Sequence, residues 1–482
     1  MINVKEHIRL TGLYTFFAAF PAVLQLVVYP VIEGSDRLGA EDFGYLAVAE
    51  ALVSFLVMFS LYGMGITISR FYFDVKDHPG KYNRLVSTIF TGVLVRSVIL
   101  FLLVILLADY FGTLFQAASL ADFKRYGYLL AIIACNRTII MVALSLYRNE
   151  KRVKMFVVVS LVSGIARSIM QIVGVLYFDM SFIGYLTGTA IGGGVAALVI
   201  VVYTYIRCGF HYRRDVIASL SKYAFPLFLA DIVFWGILFV DRFMLLGNPE
   251  ALGIYDNAMK FAIGIQFVSQ GLGGYVQPEI YRHFSNEKER DEGAIKSLSN
   301  LFMAENIAVI AALILPVMLF ITWFYETSLT LSAGLISLVF VRYVFYAQFQ
   351  VFLWPILYLK RSGVYLMVNL LVLAVVLVMN LLLVPVYGYY GSIAAALAGG
   401  GVQVGAFYII QQRMIPIHWN RTKVLWFPLG TVALLGVLEI AKLALDANMF
   451  FMSFVGVFSI FIGLTVMYRK ELIRIGQKVL KK

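Results

Sequence analysis

The chain has 482 residues, of which 61% are hydrophobic and only 14% charged, with a mean hydropathy of +0.87. A soluble protein of this length needs far more charge to cover its surface, so a water-soluble globular class is excluded. The net charge of +12 and the pI near 9.4 do not point to nucleic acid, because the basic residues lie between apolar runs, where membrane orientation accounts for them.

The apolar runs are each about twenty residues long, enough helix to cross a hydrocarbon core of roughly 30 Å. Backbone polar groups in lipid must find partners within their own segment, so these runs read as helices. The ten-residue alternation of an outer-membrane barrel is absent. In chain order the expected spans cover 12–32, 44–69, 85–107, 126–147, 155–178, 182–206, 223–246, 254–277, 299–324, 329–358, 363–386, 388–412, 424–446 and 448–467, fourteen in all. The first follows Lys5 and Arg9 but lacks a small-residue cleavage site, so it reads as an uncleaved span. The tenth is longer than a crossing needs and holds Pro355, which predicts a tilt, a kink or an early end.

Charge tests the count independently. With the N-terminus in the cytoplasm and the sides alternating, the cytoplasmic connections take Arg70–Arg84, Arg148–Lys154, Arg207–Lys222, Arg282–Lys296, Lys360–Arg361, Arg413–Lys423 and the tail Arg469–Lys482. Only Arg37, Lys124 and Arg125 fall outside. A miscounted span would mix the two sets, so the positive-inside rule supports fourteen helices with both termini cytoplasmic. The longest external connection is near 108–125. The longest cytoplasmic one, near 278–298, is a mixed-charge run that reads as a solvated hinge. The two cysteines, Cys135 and Cys208, and the scattered His7, His78, His211, His283 and His418 offer neither a disulfide framework nor metal-ligand spacing, so no metal is expected.

Residues recur about 207 positions apart. Phe20-Pro21 matches Phe225-Pro226, and Glu41-x-x-Gly44 matches Glu250-x-x-Gly253. Gly184 matches Gly391 at an offset of 207, and Gly192-Gly193-Gly194-Val195 matches Gly399-Gly400-Gly401-Val402 at the same offset. Spans 1–6 and 7–12 therefore read as two copies of one unit. An offset of six helices gives the copies the same orientation, a parallel repeat about an axis along the membrane normal. The expected organisation is a six-helix lobe over 1–210, a second over 211–413, and two extra helices with a basic tail over 414–482. The glycine clusters themselves suit close helix packing better than a phosphate-cradling loop.

Charges inside the spans are costly, roughly 2.5–3.5 kcal/mol each at mid-bilayer, so they should face a polar cavity or one another. Arg96, Arg137, Arg167, Arg242, Lys260, Arg342 and Lys442 are basic; Glu50, Asp231, Asp241, Glu305 and Glu439 are acidic. Glu439 and Lys442, three apart, are placed to pair on one helix face. Asp241-Arg242 sits near an external helix end, where an interfacial role is cheap. Arg137 and Arg342 lie mid-span in repeat-equivalent helices 205 positions apart. If matching faces line a central cavity, two guanidinium forks converge there and suit phosphate oxygens. Arg96 and Arg167 extend that cationic set, with Lys260 next in line. Asp231, Glu50 and Glu305 are candidate salt-bridge partners, or carboxylates that couple transport to a H⁺ or Na⁺ gradient.

The run Phe225-Pro226, Asp241-Arg242-Phe243, Glu250-x-x-Gly253-Ile254-Tyr255 resembles the start of the second half of polysaccharide-transport flippases. So does Asn380-Leu-Leu-Leu-Val-Pro385-x-x-Gly388-x-x-Gly391. These Wzx-like oligosaccharide and lipopolysaccharide flippases belong to the multidrug/oligosaccharidyl-lipid/polysaccharide exporter superfamily. The resemblance covers essentially the whole chain, including the six-plus-six repeat and the extra pair of helices. It implies an all-α polytopic fold with two six-helix lobes in a V shape around a central cavity. The implied activity is flipping of an undecaprenyl-diphosphate-linked oligosaccharide to the outer leaflet of the bacterial inner membrane, for O-antigen, exopolysaccharide or capsule synthesis. Glycosyltransferases and a polysaccharide polymerase are the implied neighbours, with no cofactor.

Other classes fit less well. A polytopic saccharide polymerase or ligase needs a large external loop and catalytic groups, and neither these nor a phosphate-loop, metal or nucleophile motif is present in the sequence. A multidrug or cation antiporter of the same superfamily calls for an acidic or neutral cavity, whereas these spans are net basic. A peptidoglycan-precursor flippase shares the diphosphate chemistry and is not separated by sequence. The 15% aromatic content supplies interfacial belts first and sugar-stacking faces second.

Overall fold

The structure, a computed structural model, describes residues 4–469 apart from 116, 180, 285–290 and 360. The basic tail past Arg469, Lys360 and the centre of the 278–298 loop lie outside the described residues. The helices in chain order are α1 (Val4–Ile32), α2 (Ala40–Leu61), α3 (Met64–Val75), α4 (Pro79–Leu106), α5 (Ala108–Thr113), α6 (Ala118–Ala121), α7 (Phe123–Asn149), α8 (Val153–Val173), α9 (Phe182–Cys208) and α10 (Arg214–Met244). They continue with α11 (Pro249–Phe284), α12 (Glu292–Phe324), α13 (Ile336–Tyr358), α14 (Ser362–Tyr387), α15 (Tyr389–Met414), α16 (Phe427–Leu445) and α17 (Met449–Met467). Among the described residues the only extended pairing is an isolated bridge between Glu33 and Leu38.

All fourteen expected spans coincide with helix. Twelve of them are long and apolar enough to cross a membrane. The other two are α1, whose described apolar part is Ala19–Ile32, and α11. The 36 residues of α11 are long enough, but Asp256, Asn257, Lys260, Gln266, Gln270 and Gln277 interrupt its apolar character. The chain is therefore a multi-pass membrane protein.

Local chemistry sets the helix ends. Pro79 opens α4, where its missing N–H is no loss. Ser181, Asp291 and Asn448 accept hydrogen bonds from the first-turn amides of α9, α12 and α17. Gly388, at φ 54°, turns the chain between α14 and α15. Two irregularities differ from expectation. The second span is broken mid-way, with Tyr62 and Gly63 both left-handed (φ 48° and 66°) between α2 and α3. In the tenth span the irregularity sits at the start, where Ser328–Leu335 is a 3₁₀ turn. The helix beyond it runs through Pro355 and ends at Tyr358.

The chain divides into two compact units, Met1–Asp256 with Glu326–Ser328, and Asn257–Tyr325 with Leu329–Lys482. In the first, α8 and α7 pack on α9, and α4 and α2 on α7; α10 packs on α2, α3 and α4, with the Trp235 indole donating to Ala51 O at 2.8 Å. In the second, α14 and α13 pack on α15 and α12 on α13, the same pairings for the repeat-equivalent helices. The two extra helices join this unit, α16 on α13 and α17 on α12. Several of the repeated glycines sit at close crossings: a Cβ on Gly184 or Gly192 would overlap backbone of the preceding segment, as would one on Gly188 between them, and one on Gly391 would overlap Leu383 and Val384.

Candidate functional site: a cationic centre in the first unit

Glu50 on α2 and Arg137 on α7 form a two-pronged ion pair. Arg137 Nη1 donates to Glu50 Oε1 at 2.5 Å and Nη2 to Oε2 at 3.0 Å. Their side chains remain 27% and 44% exposed, so the pair is not sealed in the core. Arg167 on α8 donates from Nη2 to the carbonyl of Pro21 in α1 at 3.2 Å, and its buried Nε has no acceptor. Arg137, Glu50, Tyr185 and Tyr29 are its electrostatic neighbours. Two permanently charged guanidinium groups thus lie on neighbouring helices, one paired with Glu50 and the other held by a backbone carbonyl.

A chain of polar side chains holds this centre between α1, α8 and α9. Tyr185 OH donates to Gln25 at 2.7 Å, Gln25 to Gln171 at 2.9 Å, and Gln171 to Thr189 at 2.9 Å. Beside Arg137, Asn136 donates to Ala190 O at 2.9 Å. Such bonds fix helix rotation in lipid, where unmet polar groups are costly. A side chain at Gly192 would overlap the backbone at Arg167, so this glycine lets α9 approach behind the arginine.

Arg96 has a different setting. Its Nε donates to Ser60 O at 2.9 Å, a carbonyl left without a helical partner where α2 breaks, and its guanidinium lies 5.7 Å from the Tyr62 ring. One amino group, Nη2, is buried without an acceptor. The break that orphans the carbonyl therefore also holds the arginine.

In the second unit Arg342 has no carboxylate within ion-pair distance among the described residues. Its Nη1 meets the Met259 sulfur at 3.4 Å, and its guanidinium lies 5.9 Å from the Tyr343 ring. The two repeat-equivalent arginines are thus unlike: Arg137 is tied to an acid, Arg342 is not. Lys260 is half-buried on α11, next to Met259. Glu305 on α12 and, in the first unit, Asp231 on α10 are half-buried without a hydrogen-bond or ion-pair partner among the described residues. Of the three candidate partner acids, Glu50 has a basic partner and that partner is Arg137. Among the described residues no group of three or more His, Cys, Asp or Glu is placed to hold a metal ion.

A family model described as polysaccharide biosynthesis protein matches residues 37–334. The chain belongs to that family. A comparison with curated proteins gave no match. Among solved structures, this polysaccharide biosynthesis protein is similar to the lipid II flippase MurJ in an inward closed conformation, with a TM-score of 0.72 and 15% identity over 96% of this chain and 99% of that one. It is also similar to a MATE transporter of Vibrio cholerae, with a TM-score of 0.59 and 16% identity over 85% and 96%. A MOP-superfamily transporter from Pyrococcus furiosus gives 0.57 and 13% over 84% and 94%. At these identities the likeness speaks for the fold. The family match takes in Glu50, Arg96, Arg137, Arg167, Asp231, Lys260 and Glu305, while Arg342 lies beyond it.

The match also covers a buried cluster that the sequence reading treats only as an interfacial pair. Arg242 Nη1 binds Asp241 Oδ1 at 2.8 Å and Nη2 binds Asp256 Oδ1 at 3.0 Å, while Tyr255 OH donates to Asp241 Oδ2 at 2.6 Å. All three charged side chains are buried. The signal was present in the motif itself, because Asp256 directly follows Glu250-x-x-Gly253-Ile254-Tyr255. In the second unit the expected pair on α16 forms. Lys442 and Glu439 are in contact, Lys442 Nζ also donates to Gly334 O at 3.0 Å, and Tyr390 OH donates to Glu439 at 3.3 Å. Lys442→Ala is expected to cost about 3 kcal/mol by stranding a buried carboxylate, seen as a lower melting temperature in detergent. Adding Glu439→Gln should recover part of it; no recovery would mean that the pair is not what holds α16.

Proposed function

We propose that this protein flips an undecaprenyl-diphosphate-linked oligosaccharide from the inner to the outer leaflet of the bacterial inner membrane, supplying surface polysaccharide synthesis. The observation that carries the reading is the pair of arginines on α7 and α8, Arg137 in a two-pronged pair with Glu50 and Arg167 bonded to the Pro21 carbonyl with its buried Nε free of an acceptor. Family membership and the transporter-like fold support it. The diphosphate would take the guanidinium forks, its charge being worth most in a poorly hydrated site. In the second unit, Arg342, which has no acid partner among the described residues, and Lys260 are proposed as further phosphate-binding positions, and Arg96 as one in the first. Glu50, Asp231 and Glu305 are the proposed points of coupling to a H⁺ or Na⁺ gradient, and no resident cofactor is invoked.

In this reading residues 1–210 and 211–413 are the two repeated lobes, 414–482 is the added helical pair, and both termini are cytoplasmic. Glycosyltransferases and a polysaccharide polymerase are the proposed neighbours. Binding tests the substrate class. Undecaprenyl diphosphate should raise the melting temperature of the purified protein more than undecaprenyl monophosphate does, and Arg137→Gln with Arg167→Gln should abolish the difference. Stabilisation by lipophilic cations and indifference to phosphate number would sink the proposal in favour of a multidrug or cation antiporter. Equal stabilisation by a peptidoglycan lipid precursor would instead widen the substrate to that class.

A further inference from the structure

The repeated Glu-x-x-Gly elements are not used by the cationic centre, yet they touch. A Cβ on Gly44 would overlap the carbonyl of Pro249, and one on Gly253 would overlap the carbonyl of Ala40, so the starts of α2 and α11 cross backbone against backbone. Glu33, just past the end of α1, bridges to Leu38 two residues before Ala40 and is only 2% exposed. Its carboxylate accepts from the backbone N–H of Glu326 at 2.9 Å and of Thr327 at 2.6 Å, in a segment 293 and 294 residues further along the chain. Ser328 then donates to Glu250 of the second Glu-x-x-Gly element at 2.5 Å. These contacts bring Pro249–Asp256 and Glu326–Ser328 into the first unit.

We infer that Glu33 is a gating residue, the latch that keeps the outer end of the first unit shut during transport, with the Gly44/Gly253 crossing as the surface it closes. The inference rests on the proposed topology and on the reading of the chain as a transporter that opens alternately to the two sides. Charge-assisted hydrogen bonds from backbone amides are stronger than neutral ones. A buried carboxylate stripped of its donors must be rehydrated. The latch therefore opens only when water enters, which makes opening an all-or-none event rather than a gradual slide. Glu33 touches no part of the cationic centre in this structure, so its loss should change the rate of the cycle and not the affinity for substrate.

The test is accessibility. A cysteine reporter, Ala40→Cys, is placed at the crossing in a chain carrying Cys135→Ser and Cys208→Ser. It is labelled from outside intact cells with a membrane-impermeant maleimide. Ala40 is 4% exposed, so labelling should be slow. Glu33→Ala should speed it by about tenfold, the loss expected when charge-assisted bonds are removed. Glu33→Gln keeps one acceptor oxygen and should fall between. Gly253→Ala, which forces the helices apart without touching the carboxylate, should also speed labelling. If Glu33→Ala yields too little folded protein, Glu33→Gln and Gly253→Ala carry the test. Unchanged labelling in these folded variants overturns the latch. Labelling needs no substrate, so a chain that proves to carry something other than a saccharide lipid leaves this result standing. A chain that flips the lipid with Glu33→Ala labelling unchanged loses only the latch.

Discussion

Arg137→Gln is expected to reduce flipping more than tenfold at equal expression, with a near-normal melting temperature. The side chain is held in a two-pronged pair yet remains partly exposed, so removing its charge leaves Glu50 able to reach water or a proton. What is lost is the planar fork that matches two phosphate oxygens at once. Arg137→Lys keeps the charge and not the fork, so it should restore only a minor part of the activity. Glu50→Gln acts in the opposite sense. It frees Arg137 from its competitor and should tighten diphosphate binding while slowing release, a split between apparent affinity and turnover. Equal losses in all three variants, with lower melting temperatures, would instead make the pair a packing element.

Arg242→Met is expected to be the most destabilising single change in the chain. It removes a cation that pairs with both Asp241 and Asp256, all three side chains being buried. Breaking a buried pair by removing one partner costs about 3–5 kcal/mol, a large part of the 5–15 kcal/mol that keeps most proteins folded. The expected result is little monomeric protein after extraction. Combining Arg242→Met with Asp241→Asn and Asp256→Asn should recover yield, because the uncompensated charge is then gone. A melting temperature for Arg242→Met within a few degrees of wild type would contradict this account.

Much of the architecture was readable from residues. Runs of about twenty apolar residues define helices in lipid wherever they occur, and the sidedness of Lys and Arg checks their number. The repeat pointed to glycines of which Gly44, Gly253, Gly184, Gly192 and Gly391 meet neighbouring backbone. Glu439 and Lys442 were legible as a pair because three residues on a helix fix their geometry. The partner of Arg137 was not legible. Intramembrane cost says that a partner must exist, while the choice of Glu50 depends on how α2 packs on α7. The break at Tyr62–Gly63 lies inside an unbroken apolar run without a proline, so hydropathy passes over it. Glu33 finds its donors almost three hundred positions away, where no periodicity connects them.

The most direct measurement is flipping by the purified protein in liposomes. A short-chain polyprenyl-diphosphate oligosaccharide is added to one leaflet and its arrival in the other is followed. Wild type is compared with Arg137→Gln, Arg342→Gln and the double variant, at matched reconstitution. Wild type is expected to flip the lipid, with a strong loss in each single variant and none left in the double. Flipping by the double variant at the wild-type rate would show that these arginines do not hold the headgroup. A wild type that ignores this lipid and moves a lipophilic cation instead would contradict the central claim.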